Sequence, residues 1–527
     1  MDYFFNALIG ACAQTTIEPP PLDGVRGVWL KSGTYTISSA MTMSDVLVDS
    51  RQVLYVYASG SIYNVSTVAG AVSSGGSIII YYNGVAESTL IDANNVAAKY
   101  YYLTVSSGGH VLSTTITNRA SAYINQGAAS STIIAQSAIV SAWSGAVIYA
   151  DVINNGSLYL TLPSASHLRV SSGGRIITWG QGSLESVCIG NRGNVYVSTG
   201  VKASNIVISG GTLHLSGGNA EKLAVEGYSS QGFVSIYVHG HASAVEVKHS
   251  GILSISGGDA SSVVVSSGGV ISVYGGNYLV GSVTSSAYGH CNFLVVSSGG
   301  HMVLGGGLGG GASNATIYGS VSVAYSGHLN AALICSGGRV EVVRYGQING
   351  ATVDAGGYVN VFNGSAVYVT IQSGGRFIIS GQYATAHDII VSVGGSLSPG
   401  TVQVKGIKEC GGYVFIPDSG TATFGYQVFS GAVLGGGNTA TVHSATTAVG
   451  TVINSGGAVL VYSRGRVNFT TINEQGKLTL YSAASASGVT VNSGGYLVVN
   501  SGGRAEGVVV NSGGIVSGVG YIGYVTS

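Results

Sequence analysis

The chain's strongest constraint is a period of nineteen residues near its C-terminal end. The blocks Ile453-Asn454-Ser455-Gly456-Gly457, Ile472-Asn473-Glu474-Gln475-Gly476, Val491-Asn492-Ser493-Gly494-Gly495 and Val510-Asn511-Ser512-Gly513-Gly514 start nineteen residues apart each time. A fixed period in this range marks a solenoid, in which each unit is too small to bury its own apolar face and depends on its neighbours to do so.

The residues inside one unit specify strands. After each glycine pair the second and fourth positions are apolar: Val459 and Val461, Leu478 and Leu480, Leu497 and Val499. Period-two alternation puts such pairs on one face of a strand. A second apolar series stays in register just before each turn: Val467, Thr470 and Ile472, then Ala486, Val489 and Val491, then Ala505, Val508 and Val510. One unit therefore reads as strand, turn, strand and glycine-rich turn. Recurrent Gly-Gly and abundant Ser, Thr and Val oppose a helix. Parallel crossovers are nearly always right-handed. The expected fold is all-β, a right-handed parallel β-helix (β-solenoid) with about 19 residues per coil.

The pattern continues upstream with looser spacing. Turn glycines fall at Gly337 and Gly338, Gly356 and Gly357, and Gly374 and Gly375, and the C-terminal coils add Gly456, Gly457, Gly494, Gly495, Gly513 and Gly514. Tight turns at these sites call for positive φ or close backbone approach. We divide the chain into a cap or arm over 1–50, a degenerate solenoid over 51–404, an irregular coil or kink over 405–440 and a regular solenoid over 441–527. The first segment contains Glu18-Pro19-Pro20-Pro21, and the third contains Pro417-Asp418-Ser419-Gly420. The glycine-rich stretch 304–314 reads as a loop thrown out of the coil.

Composition excludes several functions. Twenty basic residues balance twenty acidic ones, and only 8% of residues are charged, so no basic stripe for nucleic acid is expected. No apolar run approaches the roughly 20 residues of a membrane-spanning helix. The five cysteines, Cys12, Cys188, Cys291, Cys335 and Cys410, show no CxxC spacing. Cys335 stands beside a Ser-Gly-Gly turn and reads as a small turn residue. Ile9-Gly10-Ala11-Cys12 has the look of a lipoprotein box but too short a leader to be a signal.

The candidates for chemistry are sparse. Catalysis on polysaccharides needs clustered carboxylates. The nearest approaches are Asp45 with Asp49, and Asp354 with Glu341 if coiling brings them together. His239, His241 and His249 form the densest histidine group, where a metal is the alternative to solvated strand positions. His387-Asp388 lacks a visible nucleophile. We expect no enzyme, no cofactor and no metal. Tyrosine stands out instead, with 32 copies against 10 Phe and 3 Trp. Tyr462 and Tyr481 occupy equivalent slots and are expected to stack as an outward ladder. This is a stabilising column or a contact strip for sugars or a partner.

The unit Val-x-Ser-Gly-Gly followed by Gly-x-Ala resembles the strand-loop-strand repeat of AIDA-type autotransporter passengers, the self-associating bacterial surface adhesins. Val491-Asn492-Ser493-Gly494-Gly495 and Gly503-Arg504-Ala505-Glu506-Gly507 carry the resemblance. It implies an extracellular or cell-surface rod that supports adhesion, aggregation or biofilm. The repeat runs on to Val516-Ser517-Gly518-Val519-Gly520 without a polar cap. An open coil edge invites strand addition, so head-to-tail self-association into fibres is the first expectation. A rod binding cell-surface glycans is the second, and a polysaccharide-degrading β-helix enzyme the third.

Overall fold

The fold is taken from a computed structural model. It describes residues 25–526 except 27–28, 31–33, 38–40, 49–51, 58–59, 68–76, 82, 94–101, 144, 150, 163, 228–229, 281–282, 307, 393, 400–402, 406–407, 411–412, 415–426, 432, 436–438 and 445. The chain is an all-β parallel solenoid of about 22 turns, with about 19 residues per coil. The described residues contain no helix.

A coil contains three strands, or two where the short ones run together as in Gly289–Val296. Arg339–Val343 is the long one, and Gln347–Asn349 and Thr352–Val353 are the short ones, after which the chain turns into Tyr358–Phe362 of the next coil. Each strand pairs in parallel with its counterpart one coil on: Val340 with Val359, Ile348 with Ala366, and Val353 with Ile371. Val340, Val342, Ile348, Ala351 and Val353 all point inward and are buried. Stacked coils therefore make a continuous core of Val, Ile, Leu and Ala.

The two short strands correct the sequence reading, which assigned them to one strand. Arg466–Asn468 and Thr471–Ile472 are separated by Phe469 at φ 52°. Val467, Thr470 and Ile472 are all buried, as expected. A flat strand cannot bury positions three apart, since odd steps change face. The left-handed elbow at Phe469 resets the alternation.

In the first unit, Met1–Ser254, the long strands pair successively from Thr34–Ile37 with Val53–Val56 to Thr212–Ser216 with Phe233–Tyr237. Thr42–Ser44 and Leu47–Val48, inside the segment assigned to a cap or arm, are also ladder strands. The second unit, Ile255–Ser527, carries one excursion that the sequence reading missed. Gly276–Val280 and Val283–Ala287 form an antiparallel hairpin inserted after the long strand Val270–Tyr274. The stretch 304–314 is not the expected loop, because Gly310–Ile317 lies in the ladder, paired with Gly289–Val296. Gln403–Lys405, Lys408–Cys410 and Tyr413–Val414 also continue the parallel pairing. Ile9–Cys12, Glu18–Pro21, Asp49 and Pro417–Gly420 lie outside the described residues.

Candidate functional site

The turn glycines occupy one corner of the coil for two different reasons. The first of each pair, at Gly337, Gly356, Gly374, Gly456, Gly494 and Gly513, adopts φ between 69° and 82°. The second, at Gly338, Gly357, Gly375, Gly457, Gly495 and Gly514, lies against the preceding coil. A Cβ at Gly495 would stand 2.7 Å from the Ile472 carbonyl oxygen. The Asn residues before this corner form a ladder: Asn473 donates its side-chain amide to Asn454 Oδ1 (2.7 Å), Asn492 to Asn473 (2.7 Å) and Asn511 to Asn492 (2.6 Å). Cys335 occupies the same slot and is largely buried.

Tyr462 and Tyr481 stack with ring centroids 5.1 Å apart and 4° between planes, and His443 continues the column at 4.8 Å from Tyr462. Both tyrosines stay partly exposed, at 36% and 38%. Their position follows from the sequence: each is the first residue past an inward Val461 or Leu480, at a corner where the period superposes equivalent side chains.

Among the described residues, the groups considered for catalysis or metal binding do not form a cluster. Glu341 is ion-paired with Arg339 at 3.2 Å on the outer face of the long-strand ladder, whereas Asp354 lies at the glycine corner. Asp45 accepts a hydrogen bond from the Asn64 amide at 2.6 Å. His239 sits at the corner before His241–Val247 and His249 at the corner after it. Among the described residues no three His, Cys, Asp or Glu side chains cluster. His387 ends a short strand and Asp388 forms the following elbow at φ 56°. Burial pushes the Cys291 thiol up to about 12, which removes it as a nucleophile.

The outer face of the long-strand ladder in the first unit is rich in aromatic rings. Tyr159 and Trp179 stack at 5.7 Å, and Tyr196 and His214 at 4.5 Å with 9° between planes; Tyr57 and Tyr81, each one residue past a long strand, stack at 5.4 Å. Burial lowers the pKa of His214, so its imidazole is neutral at physiological pH.

Beside Tyr196 this face opens into a cleft of about 370 Å³, lined by Arg175, Ile177, Tyr196, Val197, Ser198 and Ser216. Its cause is local. The backbone register between Arg175–Trp179 and Asn194–Ser198 runs only as far as Ile177 and Tyr196. Beyond that point the Thr178 hydroxyl, in an inward and fully buried slot, takes over the ladder. It donates to the Tyr196 carbonyl at 3.0 Å and accepts from the Ser198 N–H at 3.2 Å. The cleft was not expected from the sequence; the signal available there was a threonine in a slot that neighbouring coils fill with apolar residues such as Ala142 and Leu160.

No known family profile matches the chain, and no curated protein matches its sequence. Among solved structures, it is similar to a TibC-catalysed hyper-glycosylated TibA fragment, at 22% identity over 70% of this chain and 100% of that one, with a TM-score of 0.25. It is also similar to the Dettilon tailspike protein, at 12% identity over 73% of this chain and 62% of that one (TM-score 0.12). A third is a mutant tailspike of E. coli bacteriophage HK620 in complex with a pentasaccharide, at 12% identity over 91% of this chain and 72% of that one (TM-score 0.12). At identities and TM-scores this low, nothing that those proteins bind carries over to this chain.

Proposed function

We propose that this chain is a non-catalytic structural β-solenoid of the cell surface or extracellular space, and that it acts by adhesive contact with glycans along its flanks. The observation that carries this reading is the set of stacked aromatic rings with partly exposed members, such as Tyr462 and Tyr481 stacked beyond a buried His443. Rings held by their neighbours lose little rotamer freedom on binding, and tyrosine adds a hydroxyl to a large apolar contact. Such columns suit the apolar faces and hydroxyl edges of sugars. The polysaccharide-degrading alternative ranks below this reading, because Glu341 already serves Arg339 and Asp354 stands at another corner.

Head-to-tail self-association into fibres, feeding aggregation or biofilm, is the second reading. It is favoured by the repeat itself: each coil pairs with a near-copy through backbone bonds and the Asn454–Asn511 ladder, and a coil of another molecule offers the same register. A glycan array probed with the purified chain and with the Tyr462→Ala/Tyr481→Ala variant, beside negative-stain electron microscopy, tests both. Glycan signal that falls in the variant supports the first reading. Fibres without any glycan signal would replace it with the second, and release of reducing sugars would revive the enzyme.

A further inference from the structure

We propose that the cleft beside Tyr196 is a binding site for a carboxylated sugar unit, a uronic or a sialic acid within a glycan. This rests on the glycan reading above and gives it a place and a ligand class.

Charge is the first argument. Arg175 is exposed at the cleft, and no ion pair to it exists among the described residues. Its register neighbours on the two adjacent coils, Ser157 and Asn194, are neutral. In a chain with only 8% charged residues, this guanidinium is the charged group that lines the cleft. Its planar fork matches a carboxylate, with which it makes short, charge-assisted hydrogen bonds. The other lining groups carry no charge: Ile177, Tyr196, Val197, Ser198 and Ser216. One cation among apolar and hydroxyl groups fits a singly charged, hydroxyl-rich ligand, whereas a polyphosphate chain needs several cations.

The second argument is the division of the walls. His214 covers one face of the Tyr196 ring at 4.5 Å, and Ile177 lines the cleft one coil before it. Tyr196 and Ile177 thus form an apolar wall for the C–H face of a sugar ring. Ser198 and Ser216, in register on consecutive coils, form a hydroxyl wall for the ring's own hydroxyls. The volume, about 370 Å³, lies in the range of small-molecule sites, roughly 300–1,000 Å³. The opening lies where the Thr178 hydroxyl stands in for backbone pairing, between two strands and not in a loose loop.

The test is calorimetric titration of the full chain with trigalacturonate, 3′-sialyllactose and the neutral sugars lactose and maltotriose. Binding of one acidic probe at least about tenfold tighter than its neutral counterpart is expected, as charge-assisted bonds imply, with weakening at high salt. The tighter acidic probe identifies the source of the carboxylate. Arg175→Ala should abolish the preference for the acidic probe, and Arg175→Lys should retain part of it. Ser216→Tyr, which fills the cleft with a residue type that its strand neighbours already carry, should block binding while the far-UV circular dichroism and melting remain those of the wild type. Acidic probes bound equally by wild type, Arg175→Ala and Ser216→Tyr would overturn the site but leave glycan contact elsewhere standing. Neutral probes bound as tightly as acidic ones would overturn the ligand class. No binding to any of these probes would overturn the site, and silence across the glycan array as well would remove the broader reading.

Discussion

Asp151 is the residue most at odds with its surroundings. It is 1% exposed and follows Thr89, Thr114 and Thr132, themselves buried, in the slot just after the elbow. Its Oδ1 accepts the Thr132 N–H at 2.7 Å, yet burial outweighs that bond and pushes the carboxyl up to about 7 from an ordinary 3.8. The folded state therefore holds the proton more tightly than the unfolded chain does. Stability from this group is fully present below about pH 4 and declines as pH rises towards 7. Above pH 7 the local cost levels off at roughly 4 kcal/mol. Asp151→Asn keeps an acceptor for Thr132 but cannot ionise. Its thermal midpoint should match the wild type near pH 4 and exceed it clearly at pH 8. Parallel melting curves for the two proteins from pH 4 to 8.5 would show that Asp151 is solvated or paired in solution.

At the scale of the element, the elbow either separates two short strands, as Phe469 does, or bends one longer strand, as Phe293 does within Gly289–Val296. Its left-handed position is filled by chemically unlike residues, among them Ser186, Asn205, Lys222, Ala244, Ser262, Phe293 and Asn314, all with φ of 52° to 57°. No Val, Ile or Thr appears among the described non-glycine residues with positive φ, although these types crowd the adjoining strands. A β-branched side chain clashes most there, and a left-handed residue costs an L-amino acid about 1–2 kcal/mol in any case. Ser186→Val should therefore destabilise, through the added clash of its second γ-carbon, by about 1–3 kcal/mol. Ser183→Val, the same change on the outer face of the strand Gly182–Glu185, should stay within about 0.5 kcal/mol in urea unfolding. Equal effects would mean that the elbow tolerates any backbone. This also explains what the sequence could convey. The inward slots and glycine corners were legible because alternation and Ser-Gly-Gly recur with the period. The elbow has no residue signature, and only the step from Val467 to Thr470, which breaks alternation, betrays it. The cleft was harder still, since Arg175, Tyr196 and Ser216 occupy three different slots of the long strands and no repeat lines them up. The hairpin strands Gly276–Val280 and Val283–Ala287 leave the ladder at Gly275-Gly276, a glycine pair like those of the corners that stay in it.

For the molecule as a whole, the period makes stability a sum over coils and their contacts with neighbours. The regular coils of the second unit allow that to be tested without altering any side chain. Deleting residues 473–491 removes one coil and joins Ile472 to Asn492, which preserves every inward slot. Asn492 then meets Asn454, as Asn473 does now at 2.7 Å, and Leu497 and Val499 take the places of Leu478 and Leu480 against Val459 and Val461. The shortened chain should keep a cooperative melt, with its midpoint moved by a few degrees at most. Deleting only 473–482 loses fewer residues but places the strand Ser485–Ser487 where a glycine corner is required. It also sets side chains against carbonyls that only Gly476 or Gly495 can approach. That variant should lose cooperative melting over the C-terminal coils and expose backbone amides to hydrogen exchange from about residue 453 onward. If the ten-residue deletion melted as sharply as the nineteen-residue one, register would not be what holds the coils together, and packing of any Val-rich strand on its neighbour would suffice. The one-coil geometry of the glycine corner argues against that. It fits a neighbour displaced by a whole period, and a neighbour displaced by half of one puts a Cβ into the Ile472 carbonyl.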